Sequence, residues 1–179
     1  MSVTRALAVE DAAELADLVV RERAFLAPFE PRRPESFFTR DGQARLAETL
    51  LDSRAAGTAL PLVIVDDGAI VGRLTVTSIA RGAFCSGALG YWVAQGAGGR
   101  GLATAAVADA CALAFGPLEL HRLEAGTLVD NLASQRVLAK SGFSRYGLAP
   151  GFLSIDGAWR DHVLFQRLAD DGVPAVAPR

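Results

Sequence analysis

Cysteine is scarce in this chain. Its 179 residues hold two, Cys85 and Cys111, and neither stands in a CxxC or a metal-ligand spacing. That excludes a disulfide scaffold and a zinc site. Histidine is as rare: His121 and His162 lie far apart without a ligand spacing, so structural roles and no bound metal are expected. Charge of one sign is not in surplus either. The net charge is −2, which leaves no basic excess to offset phosphates and argues against nucleic acid as the main ligand. No apolar run reaches the roughly 20 residues of a membrane span, so no membrane partner is expected. The first residues lack the charged start and apolar core of a signal peptide, and a reduced, cytoplasmic setting fits best. What is present is ordinary for a globular protein: 51% hydrophobic and 21% charged residues. The length suits one domain with a real core, expected over residues 1–168, with DDGVPAVAPR closing a flexible tail at 169–179.

Periodicity lays out the elements. A short strand is expected over Arg5 to Val9, then a helix whose start signal is Asp11 with Glu14. Pro28, Pro31 and Pro34 break that helix. A second helix is predicted from Gln43 to Ser53, with Leu46, Ala47 and Leu50 on one face. Strands Leu62 to Val65 and Ile70 to Ile79 flank a hairpin turn at Asp66-Asp67-Gly68. After the helix ending at Phe115, a strand runs from His121 to Leu128. Asp130 or Asn131 caps a helix that ends at Lys140, with Gly142 as its C-terminal glycine. Phe143 to Tyr146 and His162 to Leu168 form a last antiparallel pair, joined through a loop with Asp156-Gly157.

The most informative stretch is Ala88 to Phe115, a strand, a glycine turn and an alanine-rich helix. Gly96, Gly98, Gly99 and Gly101 crowd the turn, and from Leu102 the residues are strong helix formers. Backbone N–H groups at a helix start attract anions, and glycine lets phosphate oxygens come close. Gly96, Gly98 and Gly101 satisfy GxGxxG, but the acidic residue a dinucleotide fingerprint needs at the end of the next strand is missing, as are repeated parallel βαβ units. A P-loop is excluded because no GK[ST] follows.

The order of elements, the Gly99-Arg100-Gly101-Leu102-Ala103-Thr104 turn, Asn131-x-x-Ser134 and Lys140-Ser141-Gly142-Phe143 together resemble the GNAT family of acyl-CoA N-acyltransferases. PFEPRRPES from Pro28 to Ser36, Arg81-Gly82-x-Phe84 and LSIDGAWRDHVLF from Leu153 to Phe165 narrow the resemblance to RimJ-type ribosomal-protein alanine N-acetyltransferases. The resemblance spans nearly the whole chain. It departs from the family at Gly96, where relatives often carry Arg or Gln, with Gln95 one place early.

The resemblance implies an α+β fold: a central, mostly antiparallel, twisted sheet of about seven strands flanked by about four helices. It implies acetyl-CoA as donor, coenzyme A as co-product, and a protein N-terminus as partner, that of a ribosomal protein. A homodimer is compatible with it. The alternatives are the same chemistry on a small amine or antibiotic, or a non-catalytic acyl-CoA-binding module. The cofactor-binding set carried over is Trp92, Val93, Gly98, Gly99, Arg100, Gly101, Leu102, Ala103, Thr104, Asn131 and Ser134. Ser134 is the expected proton donor to the leaving thiolate, and the Val93 backbone N–H the expected oxyanion donor.

An α-amine has a pKa of about 7.7–8.0 against about 10.4 for lysine, so roughly a tenth of α-amines are neutral at pH 7. N-terminal transfer can therefore proceed with a weak base. Glu30, in the loop expected over the acceptor side, is the first candidate, and Glu124 the second. Phe29, Trp92 and Trp159 are candidates to line the acceptor groove, and Arg33 with Arg32 to steer a substrate carboxylate. Tyr91 and Cys111 read as core.

Overall fold

The computed structural model describes residues 2–169; of the expected tail, residues 170–179 lie outside the described residues. Seven strands form one sheet: β1 Thr4–Ala6, β2 Leu60–Asp66, β3 Ala69–Ala80, β4 Ser86–Val93, β5 Arg122–Leu128, β6 Ser144–Ile155 and β7 Ala158–Leu168. Their order across the sheet is β1-β2-β3-β4-β5-β7-β6. Every neighbouring pair is antiparallel except β4 and β5. The helices are α1 Ala12–Arg21, α2 Arg23–Leu26, α3 Arg40–Ala55, α4 Leu102–Phe115 and α5 Leu132–Lys140. The expected mixed sheet is present, with α2, a four-residue helix, added to the four longer ones.

Strand alternation divides the core between the two faces. Leu62, Ile64, Leu74, Val76 and Leu89 turn to the side where α4 packs through Ala106, Val107, Ala110, Cys111 and Ala114. Alanines let that helix sit close to the sheet while keeping strong helix propensity. Val63 and Ile70 turn to the other side and meet Leu15, Leu18 and Ala47 of α1 and α3.

Several local expectations shift. The first strand covers Thr4–Ala6 rather than Arg5 to Val9. Asp11 does not cap forward. It accepts from the Ala8 N–H at 2.9 Å and takes a two-pronged bond from Arg5, which pulls the chain out of the strand. Glu14 reaches the Ile70 N–H at 2.6 Å instead of completing a capping box. The second helix begins at Arg40, because Thr39 Oγ1 accepts from the Gly42 N–H. The last two strands run far beyond Tyr146 and His162 to a tight turn at Asp156-Gly157. Gly147, Pro150 and Gly151 are accommodated within β6 by register shifts between Arg145 and Gly147 and between Ala149 and Leu153. The turn at Asp66-Asp67-Gly68 and the cap at Asn131, whose Oδ1 accepts from the Ser134 N–H at 3.0 Å, match the sequence.

Candidate active site

The one parallel pair makes the site. β4 and β5 are in register over three residues, Ser86–Ala88 against Arg122–Glu124, and then part. Beyond Ala88 the sheet is open. A cavity of about 390 Å³ fills the opening, lined by Leu89, Gly90, Tyr91 and Trp92 on one side and Ala125, Gly126, Thr127 and Leu128 on the other. Successive strand residues point to opposite faces, so this lining draws on both. The gap passes through the sheet. Cys85 C=O bonds across to β5, and Ala94 N–H bonds back to Val71 of β3. Alternation along β4 therefore turns the backbone N–H groups of Leu89, Tyr91 and Val93 toward the gap.

On the α4 side, β4, which edges the gap, runs on through Gln95–Ala97 into the glycine turn. Gly99 and Gly101 adopt positive φ, 74° and 83°, and Gly101 is the N-cap of α4 without any capping side chain. Gly98 N–H is already bonded to Gln95 C=O at 3.1 Å; from Gly99 through Thr104 the amides find no acceptor among the described residues. A Cβ placed on Gly99 or Gly101 would meet no atom within 4 Å, so the space before these amides is open. The cradle fits an anion, and it is built from backbone. Arg100 contributes no free charge to it, since its guanidinium pairs with Asp66 at 2.5 Å.

Tyr91 stands in the gap. Its Oη lies 2.9 Å from Ser134 Oγ and 3.3 Å from the Ser134 carbonyl, which accepts from it. Burial pushes the Tyr91 phenol up to about 12, against a smaller opposite effect of the Ser134 bond, so it stays protonated at neutral pH. The sequence reads Tyr91 as core, because its alternation with Leu89 is that of a buried strand face. Asn131 and Ser134 line the same cavity from α5. His162 does too; it is buried, with Nδ1 3.0 Å from the Arg160 carbonyl.

On the α1 and α3 face the gap meets the proline-rich loop. Glu30 is half-buried, and burial raises its carboxyl above the ordinary range, with the nearby cations Arg33 and Arg73 acting in the opposite direction. The Glu30 carbonyl accepts from the Asp156 N–H at 3.1 Å, and Arg32 pairs with Asp156 at 3.2 Å. The loop is thus clasped to the β6–β7 turn. Phe29 and Arg33 line the central cavity; Trp92 lines it and a second one of about 290 Å³ beside it. Two expected residues stand apart. Trp159 is 73% exposed and faces a different hollow near Asp130 and Arg160. Glu124 is bound to Arg122 at 2.9 Å and to Tyr146 Oη, outside the central cavity. Arg73, which the sequence does not single out, lies on the cavity floor in register opposite Trp92.

A mixed sheet opened between one parallel strand pair, with an amide cradle at the adjoining helix start, defines an acyl-CoA-dependent acyltransferase of this fold. The particular family follows from comparison: the profile of the Acetyltransferase (GNAT) domain matches residues 3–144, and the chain belongs to that family, whose acetyl donor is acetyl-CoA. It is 35% identical over 175 residues to the [Ribosomal protein uS5]-alanine N-acetyltransferase of Escherichia coli (strain K12), covering 96% of this chain and 90% of that protein. The crystal structure of a ribosomal-protein-S5-alanine acetyltransferase from Vibrio fischeri superposes with a TM-score of 0.90 at 34% identity, over 96% of this chain and 94% of that one. Mycobacterium smegmatis RimJ, solved in complex with CoA-disulfide, gives 0.89 at 36% identity, over 93% and 81%.

Proposed function

We propose that this chain transfers the acetyl group of acetyl-CoA to a protein N-terminal α-amine, the N-terminal alanine of a ribosomal protein, by direct attack with both substrates bound. The observation that carries the reading is the gap through the sheet, with a backbone anion cradle where β4 leads into α4 and a half-buried carboxylate at the proline-rich loop. The names of the E. coli and V. fischeri relatives support alanine and a ribosomal protein as the acceptor.

Acetyl-CoA supplies an acetyl group already activated as a thioester. The chain supplies position and protons. The amides of Gly99, Arg100, Gly101, Leu102, Ala103 and Thr104 hold the pyrophosphate at the start of α4. The Val93 N–H, turned toward the gap, faces the oxygen on which charge develops. Glu30 takes the proton of the incoming ammonium, and its raised proton affinity suits that task. Tyr91 and Ser134, 2.9 Å apart, hold a proton for the departing sulfur. A thiol of pKa about 8.5 leaves with little help, so this last contribution is small.

The test is a panel of acceptors offered with acetyl-CoA: an alanine-started peptide, the same peptide with a blocked α-amine and a free lysine, and small amines. Acetyl should appear on the α-amine of the first alone, located by fragmentation mass spectrometry. Turnover confined to small amines would overturn the ribosomal reading. Saturable acetyl-CoA binding without turnover on any amine would favour a non-catalytic module.

A further inference from the structure

The acceptor mouth holds more positive than negative charge. At its rim two arginines are already matched: Arg32 with Asp156 at 3.2 Å and Arg23 with Glu35 at 2.5 Å. Inside, three charged groups remain, Glu30, Arg33 and Arg73. Glu30 stands 4.0 Å from Arg33, and that one carboxylate is the counter-charge for both guanidiniums. Arg73 makes no hydrogen bond or ion pair of its own among the described residues, although it is half-buried on the cavity floor beside Trp92. A guanidinium stays charged at any working pH, and its five donors suit a carboxylate held by two parallel bonds. A buried charge without a matched partner is unfavourable unless something fills the place.

The bare excess also conflicts with the substrate. An α-ammonium entering beside two arginines and one carboxylate meets net repulsion. A second, negative group on the acceptor removes the conflict: it takes Arg73 and Arg33, and leaves Glu30 for the amine. We propose that Arg33 and Arg73 read an acidic side chain on the acceptor, set within the first few residues after the reactive amine. The site then selects N-termini by a carboxylate in addition to the reactive amine. This rests on the α-amine reading above.

The experiment uses pairs of alanine-started peptides that differ by Glu or Gln at the second, third or fourth position. At one of these positions kcat/KM should favour Glu by about tenfold to a hundredfold, mainly through KM, the scale of hydrogen bonds to a charged group. Arg73→Gln should bring that ratio close to one, and Arg73→Lys should keep part of it by keeping charge without the fork. Equal rates for Glu and Gln at all three positions would overturn the proposal, as would a ratio indifferent to both Arg73→Gln and Arg33→Gln. Should Arg73→Gln fail to fold by circular dichroism, the wild-type ratio and Arg33→Gln decide. If no alanine-started peptide turns over, the α-amine reading fails separately. Calorimetric binding of N-acetylated peptides of the same pairs then decides the carboxylate site: tighter binding of the Glu form upholds it, equal or absent binding overturns it.

Discussion

The two mouths of the gap are made of different material. The cradle on the α4 side is backbone from one continuous stretch, Gly99 to Thr104. The mouth on the other side is side chains from separate segments: Glu30 and Arg33 from the proline-rich loop, Arg73 from β3 and Trp92 from β4, with the loop clasped by Asp156 of the last hairpin. Phosphates carry the same charge in every molecule of acetyl-CoA, and backbone amides, as proposed for this cradle, hold an anion whatever side chains surround the turn. Acceptors differ, and side chains on loops can change without disturbing the sheet. One mouth is backbone amides alone, and the other is side chains gathered from a loop and two strands.

The division predicts that changes at one mouth leave the other's affinity alone. The largest effect is expected from Gly99→Asp. It forces a side chain onto φ 74° and adds negative charge to the cradle, so acetyl-CoA binding should weaken by about a hundredfold or more while acceptor binding in a competitive-inhibitor titration does not move. Unchanged acetyl-CoA affinity would place the pyrophosphate elsewhere. Next is Glu30→Gln. The proposed base works when ionised. Burial raises its pKa, so activity should fall on acidification at a higher pH than a free carboxylate would allow, and hold above that. The variant should lose about a hundredfold in kcat at neutral pH, together with that acid limb. A limb that survives the substitution belongs to another group.

Inside the gap, Tyr91→Phe and Ser134→Ala should each lower kcat by about tenfold. Because the two hydroxyls are 2.9 Å apart and act as one unit, the double variant should lose little more than the worse single one. Additive losses would separate them. The smallest effect concerns the clasp. Asp156→Ala removes an exposed ion pair worth at most about 1 kcal/mol, so acceptor KM should rise by a few-fold with acetyl-CoA KM unchanged.

The contrast also explains what could be read from the sequence. The glycine turn opening α4 was legible because glycines followed by helix formers are contiguous, and so was a cap at Asp130 or Asn131, which the structure assigns to Asn131, acting three residues away. The turns at Asp66-Asp67-Gly68 and Asp156-Gly157 carry their own local chemistry. The parting of β4 and β5 was not legible, because their register joins residues more than thirty positions apart and is set by what packs on each face. Tyr91 was hidden by its strand alternation, which suits a core residue and a cavity residue alike. Arg73 was hidden among polar strand positions, and its meaning depends on Glu30 and Arg33 arriving from a loop far off in sequence. Trp159 carried an aromatic signal, but it stands beside the β6–β7 turn and is exposed.

Direct transfer through the gap is the centre of this account. Initial rates measured with acetyl-CoA and an alanine-started peptide both varied test it most directly. If both must occupy the gap together, the double-reciprocal lines should intersect. Parallel lines, with acetyl-enzyme detected by mass spectrometry in the absence of peptide, would mean a covalent relay and contradict it.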